Sequence, residues 1–188
     1  MKQFALEDRH NQQDLFTATA SKMKINADAV EKDFWVCYMI DHLFNDSAFK
    51  DKFVFKGGTS LSKSYHVIER FSEDIDMVLD WTSVSDENSN PWEDRSNTKQ
   101  DKYNKDMNAK AARFYRETLV PALNEELNEK MGGRDWVGVD PDDEMVINHW
   151  PIIRTTKLCL LGMQGIYMMS TVWETAMLKN RPLLKRNC

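Results

Sequence analysis

Cysteine is scarce in this chain: Cys37, Cys159 and Cys188 are all there are. Their number is odd and their spacing fits no zinc or redox motif. A disulfide framework or a structural metal staple is therefore excluded, and thiols in a reducing cytosol are expected. Long hydrophobic runs are missing too. The most apolar late stretch, LCLLGMQGIYMM, is too short for a membrane span and contains Gln164. The opening MKQFALEDRHNQQ lacks the apolar core of a secretory signal. Together these point to a cytoplasmic protein without a membrane partner. Positive charge is in short supply: 25 Lys and Arg face 30 Asp and Glu, for a net charge of -5. That balance argues against gripping nucleic acid over the whole surface, while leaving room for a local basic patch. Neither common nucleotide fingerprint is present. G-x-x-x-x-G-K-[ST] and G-x-G-x-x-G are both absent. There is no internal repeat and no low-complexity segment.

What is there fits one globular domain of 188 residues, long enough to bury a core. Residues 4–24 read as a helix. Asn26 is placed to cap a stronger one, NADAVEKDFWVCYMIDHLF, with an apolar stripe through Val30, Phe34, Cys37, Tyr38 and Ile40. Trp35 and Met39 widen that stripe, so the helix is expected to pack on two sides. KFVFK is a short strand ended by Gly57-Gly58, TSLSKSYHVIERF a helix, and SEDIDMVLDW a second strand. Residues 82–97 form a polar loop. Residues 98–130 form a long charged helical region with Val120, Leu123 and Leu127 on its apolar face; a break would fall near Pro121. Gly132 or Gly133 stops it. VGVD, EMVINHW and TTKLCLL are further strands, and residues 171–188 a weak helix with a basic end. Residues 1–150 are taken as the core and 151–188 as a divergent or truncated segment of the same domain.

The chemistry concentrates in FKGGTSLSKSYHVIERFSEDIDMVLDW, residues 55–81. A strand alternates its side chains, so Asp74 and Asp76 share one face while Ile75, Met77 and Leu79 share the other. Two bare aspartates so placed repel, and one pKa rises. One Mg²⁺, or two neighbouring ones, would remove that conflict. Upstream, a strand that turns through Gly57-Gly58 into a helix leaves backbone N–H groups free for phosphate. Thr59 and Ser60 add hydroxyl donors, and Lys56 and Lys63 add positive charge. Each signal has a bland reading when alone: a turn, a solvated strand edge, surface lysines. Their order in one strand–turn–helix–strand unit is much less common.

Other candidates carry less. His10, His42, His66 and His149 have no metal-ligand spacing and are expected to be structural or solvent-facing. Lys22 and Lys24 read as a solvated helix face. Lys179, Arg181, Lys185 and Arg186 form a basic tail that could touch phosphate backbone, although such a tail is more often merely disordered. No aromatic stripe interleaves with basic residues as a stacking platform would need.

FKGGTSLSK followed by RFSEDIDMVL resembles the AbiEii/AbiGii family of toxin nucleotidyltransferases, within the DNA polymerase β-like superfamily. VEKDFWVCYMIDHLF and DPDDEMVINHW look like the same family, and the resemblance runs from about residue 26 to about 150. It implies an α/β (α+β) fold with a small mixed sheet flanked by helices. It implies that Lys56, Gly57, Gly58, Thr59, Ser60 and Lys63 bind the phosphates of an NTP, and that Asp74 and Asp76 are catalytic and bind Mg²⁺. It implies a toxin of a toxin–antitoxin or abortive-infection system that transfers NMP to an RNA, tRNA in some members, or to a protein acceptor, with a cognate antitoxin as partner. Two departures stand out. Where the family has a third acid in a Lys-Leu-Glu-like stretch, this chain reads Lys157-Leu158-Cys159. Trp173-Glu174 is followed by Thr175 rather than lysine, and the family's helical C-terminal part is not matched. Asp142, Asp143 and Glu144 are the nearby acids that could substitute for the missing one. The alternative to an active enzyme is therefore an inactive family remnant, at most a nucleotide- or antitoxin-binding protein.

Overall fold

The computed structural model describes residues 1–57, 63, 74–85, 90–133 and 135–149, together with the backbone of 156–161. The helix expected over 59–71, His66, and the helix and basic tail of 171–188 lie outside the described residues.

The N-terminal third is helical. A short α1 (Lys2–Ala5) precedes α2 (Arg9–Met23), whose N-cap Asp8 accepts from the amides of His10 and Asn11 at 2.9 and 3.0 Å. Lys24, at φ 58°, ends α2 in the left-handed region. Asn26 caps α3 (Ala27–Asp41), accepting from the Asp28 amide at 2.9 Å, as its sequence position predicts. The expected two-sided packing of α3 is present. Trp35, Val36, Met39 and Ile40 are buried in the core. Phe34, on the other side, meets Phe4 and Phe16 with ring centroids 5.1 and 5.7 Å apart. The deepest stripe is thus Trp35–Met39, with Val36 and Ile40 beside it. Val30, Phe34 and Cys37 are only half-buried.

A π-helical turn, His42–Asp46, extends α3 and carries a polar network. Buried His42 meets Glu126 Oε2 through Nε2 at 2.9 Å and Lys130 Nζ through Nδ1 at 3.1 Å. An ammonium can only donate, so Nδ1 accepts and Nε2–H donates: the network selects the neutral Nε2–H tautomer. Lys130 also reaches Asp46 at 2.8 Å, and Glu126 Oε1 accepts from the Ala48 amide at 2.9 Å. Burial works to raise the Asp46 pKa, but hydrogen bonds from Lys130 and Lys2 outweigh it and hold the group at about 2.

The long helical region is α4 (Asn97–Phe114), a π turn (Tyr115–Leu119) and α5 (Val120–Met131). The expected break near Pro121 is this wide turn rather than a stop. Proline lacks an N–H and crowds the carbonyl four residues back, and a wider turn removes both conflicts. The turn also resets the apolar face. Leu119, Leu123 and Leu127 are fully buried, while Val120 is half-buried rather than central. Gly132, at φ 94°, ends α5 as the sequence predicts. Asn124 of α5 pins the next strand, accepting from the amides of Trp136 and Val137 and donating to the Val137 carbonyl.

All five expected strands are present: β1 (Phe53–Lys56), β2 (Ile75–Leu79), β3 (Val137–Val139), β4 (Val146–His149) and β5 (Thr156–Leu161). They form one sheet in the order β1-β2-β5-β4-β3. Only β2 and β5 are parallel, so the sheet is mixed, in agreement with the α/β expectation. One face is apolar. Phe53, Phe55, Ile75, Met77, Leu79, Val137 and Ile147 enter the core with α3, α5 and the second π turn. His149 is buried on the same side, 5.8 Å from the Trp35 ring. The opposite face carries Lys56, Asp74, Asp76 and Val78, and Val78 packs against Met107 of α4.

Candidate active site

The alternation read from SEDIDMVL is realised in β2. Ile75 and Met77 are fully buried and Leu79 nearly so, whereas Asp76 is half-buried and Asp74 exposed on the opposite face. The register places Lys56 of β1 across from Asp76 on one side and Cys159 of β5 across from it on the other. A row Lys56–Asp76–Cys159 therefore crosses three adjacent strands.

Gly57 closes β1 at φ 75°, a conformation L-residues rarely hold. The space a Cβ would take there is filled by Asp76: its Cγ and Cβ would stand 2.6 and 2.7 Å away. The glycine turn and the acidic strand are thus in contact, and the glycine is what permits that contact. Gly58, Thr59 and Ser60 lie outside the described residues.

The electrostatics follow from this packing. Burial raises the Asp76 pKa above the ordinary carboxylate value, the charge of Asp74 adds to the rise, and Lys56 opposes it. Two carboxylates in such tension, with hard oxygen donors aimed from one strand face, are a donor set suited to Mg²⁺. Asp74 and Asp76 are the residues that would hold it. Among the described residues, no group of three or more His, Cys, Asp or Glu stands together to hold a metal.

The third-acid candidates Asp142, Asp143 and Glu144 do not approach this row. They form the turn between β3 and β4. Asp143 accepts from the Met145 amide at 2.9 Å, the Asp142 amide donates to Asp140 at 2.9 Å, and Glu144 pairs with Arg116 at 3.2 Å. Val146, which follows that turn, is in register with Cys159, so β5 intervenes between the turn and β2. At the usual strand spacing Val146 itself stands roughly 10 Å from Asp76.

Lys63 lies beside α3, where its ammonium forms an ion pair with Asp33 and a hydrogen bond with Cys37. Burial works against the charged form, but Asp33 and Cys37 together outweigh it and the pKa is raised. Asp33 is a partner of Lys63 that pattern reading missed. Its signal was the E-K-D ahead of an apolar run. Glu31, buried, grips Arg9 at the start of α2, with one contact at 3.2 Å, and Asp33, two residues on and so on the other side of the helix, grips Lys63. Beyond Asp33 and Cys37 an apolar cavity of about 430 Å³ opens between α1, α2 and α3, lined also by Phe4, Phe16 and Phe34.

The other polar candidates have structural settings. His10, Lys22 and Lys24 are exposed, and His42 and His149 are buried. No helix among the described residues is long and apolar enough to cross a membrane.

A protein-family comparison matches residues 39–143 to the nucleotidyl transferase AbiEii toxin of type IV toxin–antitoxin systems. That match spans both the Gly57 turn and the Asp74–Asp76 strand. No curated protein and no solved structure matches the chain.

Proposed function

Because the chain belongs to the AbiEii nucleotidyl transferase toxin family, we propose that it transfers a nucleoside monophosphate from an NTP to an RNA, with tRNA foremost, or to a protein acceptor. The observation that carries the reading is the packing of Asp76 over Gly57. It supports a reading in which the turn binds phosphate and the neighbouring carboxylates bind metal, the juxtaposition this transfer needs. In this reading the turn residues Gly57, Gly58, Thr59 and Ser60, flanked by Lys56 and Lys63, hold the triphosphate. Asp74 and Asp76 are the catalytic carboxylates. Bound Mg²⁺ would supply charge neutralisation at the reacting phosphate. The acceptor's nucleophile attacks the α-phosphorus and pyrophosphate leaves. The protein's own contribution is positioning and charge stabilisation. A cytoplasmic toxin of this kind has an antitoxin as its natural partner and phage defence as a setting.

The test is label transfer. The purified chain is incubated with each α-labelled NTP, Mg²⁺ and total tRNA beside an Asp76→Ala control. Label on RNA or on protein, lost in the control, is the expected result. A folded, monodisperse sample that transfers nothing would overturn it.

A second reading is favoured by one specific observation. Cys159 is the strand neighbour of Asp76, at the position where the family resemblance calls for a carboxylate. With no acid there, the chain would be a nucleotide- or antitoxin-binding protein without transfer activity. It would then bind NTP and yield no product in the same experiment.

A further inference from the structure

Cys37 has an ammonium on one side and an apolar cavity on the other. The ammonium is that of Lys63, which forms a hydrogen bond with the Cys37 side chain and an ion pair with Asp33, four residues earlier on α3. The ion pair is half-buried, with the two side chains 21% and 26% exposed, so its charges are only partly screened. Burial works against the ammonium, yet its two partners outweigh burial and the lysine is protonated at neutral pH. An ammonium in hydrogen-bond reach of a sulfur favours the thiolate, the form that attacks. Apolar surroundings alone would favour the inert thiol, so the lysine decides the reactivity of this sulfur.

The cavity of about 430 Å³ between α1, α2 and α3 is within the size range of small-molecule sites. Val30, Asp33, Phe34 and Cys37 line it at the i, i+3, i+4, i+7 spacing of one helix face, and Phe4 and Phe16 line it from α1 and α2. Asp33 is the one charged side chain among the described lining residues, and Lys63 neutralises it. The wall therefore has little to hold a charged ligand. Met1, Leu15 and Met23 also line the cavity while 41%, 50% and 57% exposed, three of the five large apolar side chains that the described residues leave in water. A nucleophilic sulfur in the wall of such a chamber fits an electrophile with a hydrocarbon body.

We propose that Cys37 is a site of S-acylation, taking a medium-length fatty acyl group from an acyl thioester and holding its chain in the cavity between α1, α2 and α3. The Cys37 sulfur attacks the thioester carbonyl, and its new S–C bond forms as the donor's S–C bond breaks. The departing thiolate takes up the proton that the Cys37 thiol gave up on ionising, so neither oxidant nor reductant is involved. The Lys63 ammonium, already in contact with the attacking sulfur, also steadies the oxyanion of the tetrahedral intermediate. This site stands apart from Asp74 and Asp76 and does not depend on nucleotidyl transfer.

The test is intact mass and peptide mapping of the full chain after incubation with the acetyl and octanoyl thioesters of N-acetylcysteamine. Cys159 and Cys188 serve as internal controls. Octanoyl transfer to Cys37 is expected to exceed acetyl transfer by about tenfold or more, because the added methylenes are buried. The two control cysteines should show no such preference. Neutral hydroxylamine should release the group, as it does from a thioester. Lys63→Met should slow octanoylation about tenfold, the effect of one pKa unit on the thiolate fraction. Thr19→Trp, which fills the cavity, should abolish the chain-length preference while iodoacetamide still alkylates Cys37. The wild-type comparison of chain lengths needs no substitution, so it carries the test even if a variant fails to fold. Equal rates at the three cysteines, equal rates for the two chain lengths at Cys37, or no acylation of Cys37 would overturn the proposal. So would an unchanged rate in folded Lys63→Met, a chain-length preference that survives in folded Thr19→Trp, or a hydroxylamine-resistant group on Lys63, which would make the amine the nucleophile.

Discussion

The carboxylate of Asp76 occupies the space that a side chain at residue 57 would fill, and Gly57 turns at φ 75° directly beneath it. The end of β1 and the acidic end of β2 are therefore fitted to each other at the level of single atoms. Lys56, across the ladder from Asp76, adds a positive charge that favours the ionised carboxylate. The phosphate seat and the metal seat of the proposed site share this wall, so a change in one is felt by the other.

Replacing Gly57 by alanine would meet two obstacles at once. The positive φ disfavours any L-residue by about 1–2 kcal/mol, and the new Cβ must displace the Asp76 side chain. The expected outcome is a loss of about 2–3 kcal/mol in urea unfolding. Label transfer should fall about a hundredfold even where the fold survives, because a displacement near 1 Å has that effect on a positioned group. An alanine variant with full transfer would show that the contact is dispensable.

Asp76→Asn should do the opposite to stability. The folded-state pKa of Asp76 lies above the ordinary 3.8, so as pH rises through that window the folded state holds a proton the unfolded state has released. Ionisation at neutral pH therefore works against folding. The amide removes that conflict, and without metal the melting temperature should rise by about 2 °C, the effect being damped by solvent at this half-exposed group. Transfer should be lost in the same protein. A lower melting temperature would contradict the assigned electrostatics.

Cys159→Asp would install a carboxylate at the strand position beside Asp76. With three acids in the neighbourhood, the apo protein should be less stable and the Mg²⁺-bound form more so. The increase in melting temperature on adding Mg²⁺ should exceed that of the wild type, corresponding to roughly tenfold tighter binding. Equal Mg²⁺ responses would mean that the row Lys56–Asp76–Cys159 is not where metal is held.

Below neutral pH the His42 network should weaken the fold. Burial lowers the His42 pKa from its ordinary 6.5, and the neighbouring Lys130 charge lowers it further against the opposing pull of Glu126. Below pH 6.5 the unfolded chain takes up a proton that the folded chain resists. The stabilising contribution of neutral His42 is thus present above that pH and is lost as pH falls through the folded value. Urea midpoints measured from pH 7.5 to 5 should decline, and His42→Gln should flatten part of that decline. An unchanged slope would remove His42 as its source.

Much of this molecule is set by short-range physics and is legible along the chain. Asn26 caps α3 because its side chain reaches an amide two residues away. The alternation in SEDIDMVL assigns Asp74 and Asp76 to one face because successive residues of a strand must point oppositely. Gly132 ends α5 because only glycine takes its φ without strain. What the chain alone left open are the partners across space. The pairing of β2 with β5, which sets Cys159 rather than a carboxylate beside Asp76, depends on burying the apolar face of the whole sheet under α3 and α5. The contact of Gly57 with Asp76 depends on the register of β1 against β2. The capture of Lys63 by Asp33 depends on α3 being locked over the core. Local hydrogen bonding and side-chain period determine which elements form and which faces they present; the choice of neighbour is decided only when those faces are removed from water together.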